Sequence, residues 1–391
     1  MKKIVFTEEF CQPENLFPFT LTRQIQDIRV GILTIREKWE QSLNMPSFDK
    51  FEDDYKDLDR SMVIDEKIGE DILYLVHGNI LPTKKLIKQV KKLKPGEFIS
   101  LPERESLVYC ISQKEVLAEN KIRMTQAIEI EEELREIAFP WNIFGLNAWA
   151  IEQDFELLTA GRKSQKLSAT NKITGSRIFV EKGARVEHCF FNTQDGPIYI
   201  GKNATVMEGA MLRGPVAIGE GATVKMGAKI YGATTIGPNC IVGGEIKNSV
   251  LFGNSNKAHD GYLGDSVIGE WCNLGAGTSN SNIKNNASVV MLWTPQGPQN
   301  VGVKCGVMMG DYSKTAINTA INTGTVIGVC CNVFGSGLTP KYIPSFSWGS
   351  EGVERYELQK ACADIQAWKA LKQQAVTESE KKILKHIFDH Y

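Results

Sequence analysis

No run of about 18 apolar residues occurs in the chain, so nothing in it reads as a helix long enough to cross a bilayer. Its nine cysteines include no CxxC pair and no histidine spacing that suits zinc, which excludes a finger or ribbon. They read instead as free, mostly buried thiols. An excess of basic charge is also missing. Lys plus Arg number 45 against 46 Asp plus Glu, a formal −1, which argues against a nucleic-acid surface. The N-terminus meets Glu8 and Glu9 soon after Ile4-Val5-Phe6, so no secretory core fits there and the expectation is a cytoplasmic protein. Histidine is scarce, at five in 391 residues. One of the five lies in "NKAHDGYLGDSVIGEWCNLGAGTSNSN", residues 256–282, amid glycine and asparagine.

What the chain does have is glycine, concentrated between 173 and 337, and a beat within it. Ile200, Val206, Leu212, Ile218, Val224, Ile230, Ile236 and Val242 stand six residues apart without a miss. A helix repeats near 3.6 and a strand near 2, so neither explains the interval. A parallel β-helix does: each hexapeptide forms one side of a triangular coil, and the aliphatic points inward onto its equivalents in neighbouring coils. Glycine follows several of these, as at Gly201, Gly219 and Gly237. It would serve a positive φ or a close approach of backbones. Small residues such as Ala204, Ala222 and Cys240 come four positions after the aliphatic. Further coils show at 267–276 and 326–333. The phase breaks near 248–262 and near 279–305, where a solenoid is expected to eject functional loops. His259 falls in the first break.

These blocks resemble a known family. His259-Asp260-Gly261-Tyr262-Leu263-Gly264-Asp265 followed by Asn273-Leu274-Gly275-Ala276-Gly277-Thr278 is similar to the acetyltransferase domain of GlmU. Those proteins are bifunctional glucosamine-1-phosphate acetyltransferases and N-acetylglucosamine-1-phosphate uridylyltransferases. The chain looks most like a divergent branch found in bacteria and archaea, and the resemblance is strongest over 200–335. It implies a left-handed β-helix, acetyl-CoA as co-substrate, an amino-sugar 1-phosphate as acceptor and a homotrimer. It also implies His259 as general base, Tyr262 and Lys247 as contacts to the sugar phosphate, and Asn273 and Asn282 as contacts to the sugar. Ala276 would make a main-chain contact near acetyl-CoA. The family's upstream arginine has Lys225 as its nearest counterpart here and Arg213 as the second.

The chemistry is consistent with that assignment. Acetyl transfer to an amine requires a proton acceptor, and an imidazole titrates near working pH. Lys247 and Lys225 would supply point charges for a phosphate. Amides around Gly275 and Ala276 would face a tetrahedral oxyanion, and the asparagines offer both donors and acceptors to hydroxyls.

The resulting division is 1–168, 169–349 and 350–391. The first part reads as a Rossmann-like α/β domain, a doubly wound sheet, with strands at 4–6 and 71–76 and helices at 23–39, 81–92 and 148–158. The resemblance makes it a nucleotidyltransferase-like domain, with Mg²⁺ and UTP as cofactors if that domain is active. Thr22-Arg23 stands as a remnant of a phosphate-cradling Gly-Thr-Arg loop, and Asn79 follows the strand that would end in a metal-binding Gly-Asp. Asn147, in "FPWNIFGLN", is the candidate for a second metal ligand. The tail shows a helical stripe from Glu354 to Gln373 and a Thr377/Glu380 capping box. Two alternatives stay open: a sugar-1-phosphate nucleotidyltransferase with a non-catalytic β-helix, and a degenerate sugar-nucleotide-binding homologue.

Overall fold

The computed structural model describes residues 2–47, 71–102, 104–114 and 124–391. By contact the chain forms two compact units. The first comprises 1–13, 23–28 and 33–138, and the second 14–22, 29–32 and 139–391. Two short stretches of the N-terminal region therefore belong with the β-helix.

The first unit is built on five strands, β1 (Lys2–Thr7), β2 (Ile72–His77), β3 (Glu97–Leu101), β4 (Arg104–Ser112) and β5 (Gln126–Glu129). They lie in the order β1-β2-β4-β3-β5. β1 runs parallel to β2 and β3 to β5, but β4 is antiparallel to both of its neighbours. The sheet is thus mixed, with one antiparallel strand inside it. The reason is local: β3 and β4 are joined by a tight reversal, with Leu101 opposite Arg104, where a parallel pair would need a long crossover. Helix α1 (Ile35–Leu43) opens on a capping box between Thr34 and Glu37. α2 (Lys84–Val90) opens on Thr83, whose hydroxyl accepts the Leu86 N–H.

A single helix from 23 to 39 was expected, and the structure has none. A 3-10 turn, Ile25–Asp27, is followed by an extended stretch before α1. Gly31 breaks the helix, with φ +78° and no room for a side chain: a Cβ there would stand 2.6 Å from Asp154 Oδ2.

In the second unit, α3 (Pro140–Gly145) and α4 (Asn147–Thr159) precede the β-helix. Its strands form three parallel stacks. One has nine strands, from Ile178–Val180 to Tyr342–Ile343; the second has nine parallel strands beginning at Arg185–Val186 and an antiparallel tenth, Glu354–Arg355. The third runs six strands, from Lys172–Thr174 to Tyr262–Gly264. Ile200, Ile218 and Ile236 stand in register, eighteen residues per coil. All three are fully buried, as are Val224, Ile230 and Val242, in one continuous apolar core. The glycines after the aliphatics serve close approach: a Cβ on Gly201 would come within 2.7 Å of the Glu220 nitrogen. The left-handed backbone falls two residues later in the same corners, at Asn203, Gly221, Asn239 and Asn254.

The two phase breaks differ in kind. The first ejects no loop, because the coil is shortened: Val242 pairs with Lys257, only fifteen residues on. The second is a true excursion. Ile268 pairs with Met309, 41 residues on, and the extra chain forms an antiparallel hairpin of Val290–Leu292 with Gln299–Gly302.

The tail forms α5 (Leu358–Ala370) and α6 (Glu378–His390), the latter opened by the Thr377/Glu380 capping box. Both pack on the β-helix. Lys372 donates to the carbonyls of Asn239 and Asn254 at 2.7 and 2.8 Å, and the Tyr312 hydroxyl meets Glu380 at 2.8 Å. The expected stripe from Glu354 starts later, because Glu354–Arg355 pairs with Ser347–Trp348 as a strand.

Candidate active site

The corner between Asn256–Lys257 and Tyr262–Gly264 carries His259. Two glycines let it sit down on the coil before it, and a third lets the next coil close over it. A Cβ on Gly243 would come within 2.6 Å of the Ala258 carbonyl oxygen, and one on Gly244 within 2.9 Å of that of His259. Gly261 itself has φ +121°, and a Cβ there would lie 2.1 Å from the Thr278 oxygen. Pinned in this way, the corner leaves His259 exposed. Its ring makes no hydrogen bond among the described residues.

Beside the corner lies a polar cluster. Asn282 Nδ2 donates to the Tyr262 hydroxyl at 3.0 Å and to Asp265 Oδ2 at 2.5 Å. Asp265 Oδ1 accepts from Asn248 Nδ2 at 2.7 Å. Burial, then the charges of Asp265 and Glu245, push the Tyr262 phenol up to about 12. It stays protonated and able to donate at any working pH. The Tyr262 ring lies over Gly264, where a Cβ would be 2.2 Å from the hydroxyl oxygen. Gly264 is the register partner of Lys247. Lys247 is exposed and forms no ion pair among the described residues.

Asp265 and Asn248 were not singled out in the sequence. A signal for Asp265 was present: it closes the Tyr-Leu-Gly-Asp block and adopts φ +47°, a region that Asp and Asn enter more readily than most residues.

The other candidates are scattered. Arg213 lies on the same stack as Lys247, two coils earlier, and pairs with Asp195 at 3.0 Å. Lys225 sits beneath Gly243, its Cβ 3.4 Å from where a Gly243 Cβ would be. Asn273 belongs to the second stack and stacks with Asn256, whose Nδ2 lies 3.5 Å from Asn273 Oδ1. This is a corner ladder, and no contact joins Asn273 to the Tyr262 cluster. The expectation for Gly275 needs correction. Its N–H donates to Thr315, so it is not available to an oxyanion. The Ala276 N–H meets no acceptor among the described residues and keeps that capacity.

In the N-terminal region the structure gives the candidate residues other partners. Thr22 belongs to the second unit, where its hydroxyl donates to Asp311 Oδ2 at 2.7 Å, whereas Arg23 is buried in the first unit. Asn147 is wholly committed to packing: Oδ1 accepts from the Gly31 N–H at 2.7 Å and the Thr235 hydroxyl at 3.1 Å, and Nδ2 donates to the Ala233 carbonyl at 2.8 Å. It is a structural residue and not a metal ligand. Asn79 is held between the Cys11 thiol, 3.3 Å from Oδ1, and Glu136, 3.2 Å from Nδ2. Among the described residues no group of three His, Cys, Asp or Glu side chains gathers as a metal site would. These residues do not fit a Mg²⁺ ion.

The chain thus joins an α/β unit to a hexapeptide β-helix, and parts of it are similar to known proteins. Residues 4–163 match the sugar nucleotidyl transferase family. "Bifunctional protein GlmU" of Methanocaldococcus jannaschii is 34% identical over 101 residues, 26% of this chain and 25% of that protein. The protein of the same name from Methanococcus maripaludis is 36% identical over 84 residues, 22% of this chain and 20% of its own length. A "Bifunctional sugar-1-phosphate nucleotidylyltransferase/acetyltransferase" of Sulfurisphaera tokodaii is 28% identical over 239 residues, 60% of this chain and 53% of that protein. The matches thus span from a fifth to about half of the relatives' length. Over those stretches the chain is similar to proteins named GlmU.

Proposed function

We propose that the protein is an acetyl-CoA-dependent N-acetyltransferase acting on an amino-sugar 1-phosphate, with glucosamine 1-phosphate as the type substrate. The observation that carries this reading is the exposed His259, three residues before Tyr262 of the Tyr262–Asn282–Asp265 cluster. His259 takes a proton from the amine as nitrogen attacks the thioester carbonyl carbon. The Ala276 N–H faces the oxyanion, and collapse breaks the carbon–sulfur bond and releases CoA thiolate, which takes up the proton. Lys247 holds the phosphate, with Lys225 or Arg213 as a second cation. The Tyr262 hydroxyl and Asn282 contact the sugar. Asn273 acts only if a neighbouring copy of the chain brings it to the cluster, and a homotrimer is the assembly we infer. Bifunctional relatives and nine free cysteines suit a cytoplasmic sugar-nucleotide enzyme.

The first unit has the relatives' general architecture, but Thr22, Arg23, Asn79 and Asn147 do not assemble a nucleotide and metal site. We infer that UTP-dependent transfer is absent. Two incubations separate the readings. Glucosamine 1-phosphate with acetyl-CoA should release free thiol, and no thiol would remove the proposal. N-Acetylglucosamine 1-phosphate with UTP and Mg²⁺ should release no pyrophosphate, and its release would restore the first unit as a catalyst.

A further inference from the structure

One position in the β-helix interior holds a residue unlike its neighbours. Val206, Val224, Val242, Lys257, Leu274, Thr315 and Val333 are stacked in register along the second stack of strands. Lys257 occupies an inward site, 2% exposed, directly on Val242. An ammonium at such a site is unfavourable unless its protons are satisfied, and an aliphatic of similar length would be easier to bury. Its protons go to two carbonyls. Nζ lies 2.5 Å from the oxygen of His259 and 3.3 Å from that of Gly243. No carboxylate is bonded to it; Asp260 contributes a charge at longer range.

We propose that Lys257 is a positioning residue for His259: by drawing the His259 carbonyl inward, it fixes the peptide from which the imidazole projects outward. The inference rests on the acetyl-transfer reading for its kinetic consequence, but the structural hold stands apart from it. The neighbouring contacts support a fixed corner. Asp260 accepts the Gly277 N–H at 3.1 Å and Gly261 accepts the Glu245 N–H at 3.2 Å, so His259 is the peptide between them that only a side chain secures. Burial pushes the Lys257 ammonium down to about 8, in keeping with a charge kept in place at some expense of stability. A general base displaced by about an ångström loses rate on the order of a hundredfold, so a tether at this peptide acts on kcat and not on substrate affinity.

The test uses K257M and K257L in the full chain, which fill the column and remove the donors. Both are expected to melt at or above the wild-type temperature. Amide exchange at 258–261 should be at least tenfold faster, and kcat should fall at least tenfold with both KM values unchanged. In addition, K257M/H259A should be no slower than H259A alone. A drop in melting temperature together with activity, or failure of both variants to fold, makes Lys257 a structural residue and overturns the proposal. Wild-type exchange at the corner overturns it as well. If the wild type transfers no acetyl group, the functional reading fails, and the exchange measurement still decides whether Lys257 holds the corner.

Discussion

The coils before and after Val242 are built from the same hexapeptide and put it to different uses. Between Ile198 and Val242 each coil takes eighteen residues and the inward sites are apolar. After it, the next coil shrinks to fifteen and then seventeen residues. A lysine enters an inward site, and a buried aspartate with left-handed backbone gathers two asparagines. Irregularity is concentrated where the chemistry is proposed. The lesson is that a solenoid builds a site by shortening a coil as readily as by extruding a loop.

That contrast is open to attack at graded strength. The largest effect is expected at the irregular end: H259A should lower kcat for acetyl transfer by about 10²–10⁴ with an unchanged melting temperature, measured by thiol release and calorimetry. At the regular end the pattern should invert. Ile218 is fully buried, so I218A should lose roughly 2–5 kcal/mol in denaturant unfolding while the folded fraction keeps wild-type kcat.

A smaller effect concerns pH. The folded Lys257 titrates near 8 and the unfolded side chain near its ordinary 10.5, so the unfolded chain binds more protons between those values. Stability conferred on the wild type relative to K257M should therefore rise as pH goes from about 8 to 10.5. Asp260, the acid facing the group, works against the depression. Paired melting curves across that window check the sign. The smallest effect separates two cations on one stack. K247A should raise KM for the sugar phosphate roughly tenfold, the loss of one charge-assisted contact. R213A breaks an exposed pair with Asp195 and should change stability by less than about 1 kcal/mol.

The regular coils were legible in the sequence because register copies one requirement, an inward aliphatic, at every sixth residue. The shortened coil was misread because a deletion and an insertion disturb the phase alike, and only pairing tells them apart. Lys257 was invisible for a related reason: a lysine in an aliphatic beat looks like the end of the beat. The partners of Asn147 and Thr22, Ala233 and Asp311, lie 86 and 289 residues away, beyond the reach of local reading. The 23–39 helix failed on Gly31, whose crowding comes from Asp154 and Ala150 far along the chain. His259 and Tyr262 lie three residues apart, so the proposed site could be named from one short block, whereas Asp265 in the same block was passed over.

The most direct measurement is a structure of the protein with glucosamine 1-phosphate and CoA bound. The account expects the sugar amine within hydrogen-bonding distance of the His259 ring, the phosphate on Lys247 and the Tyr262 hydroxyl on the sugar. A ligand seated elsewhere, with the imidazole turned to bulk water, would contradict it.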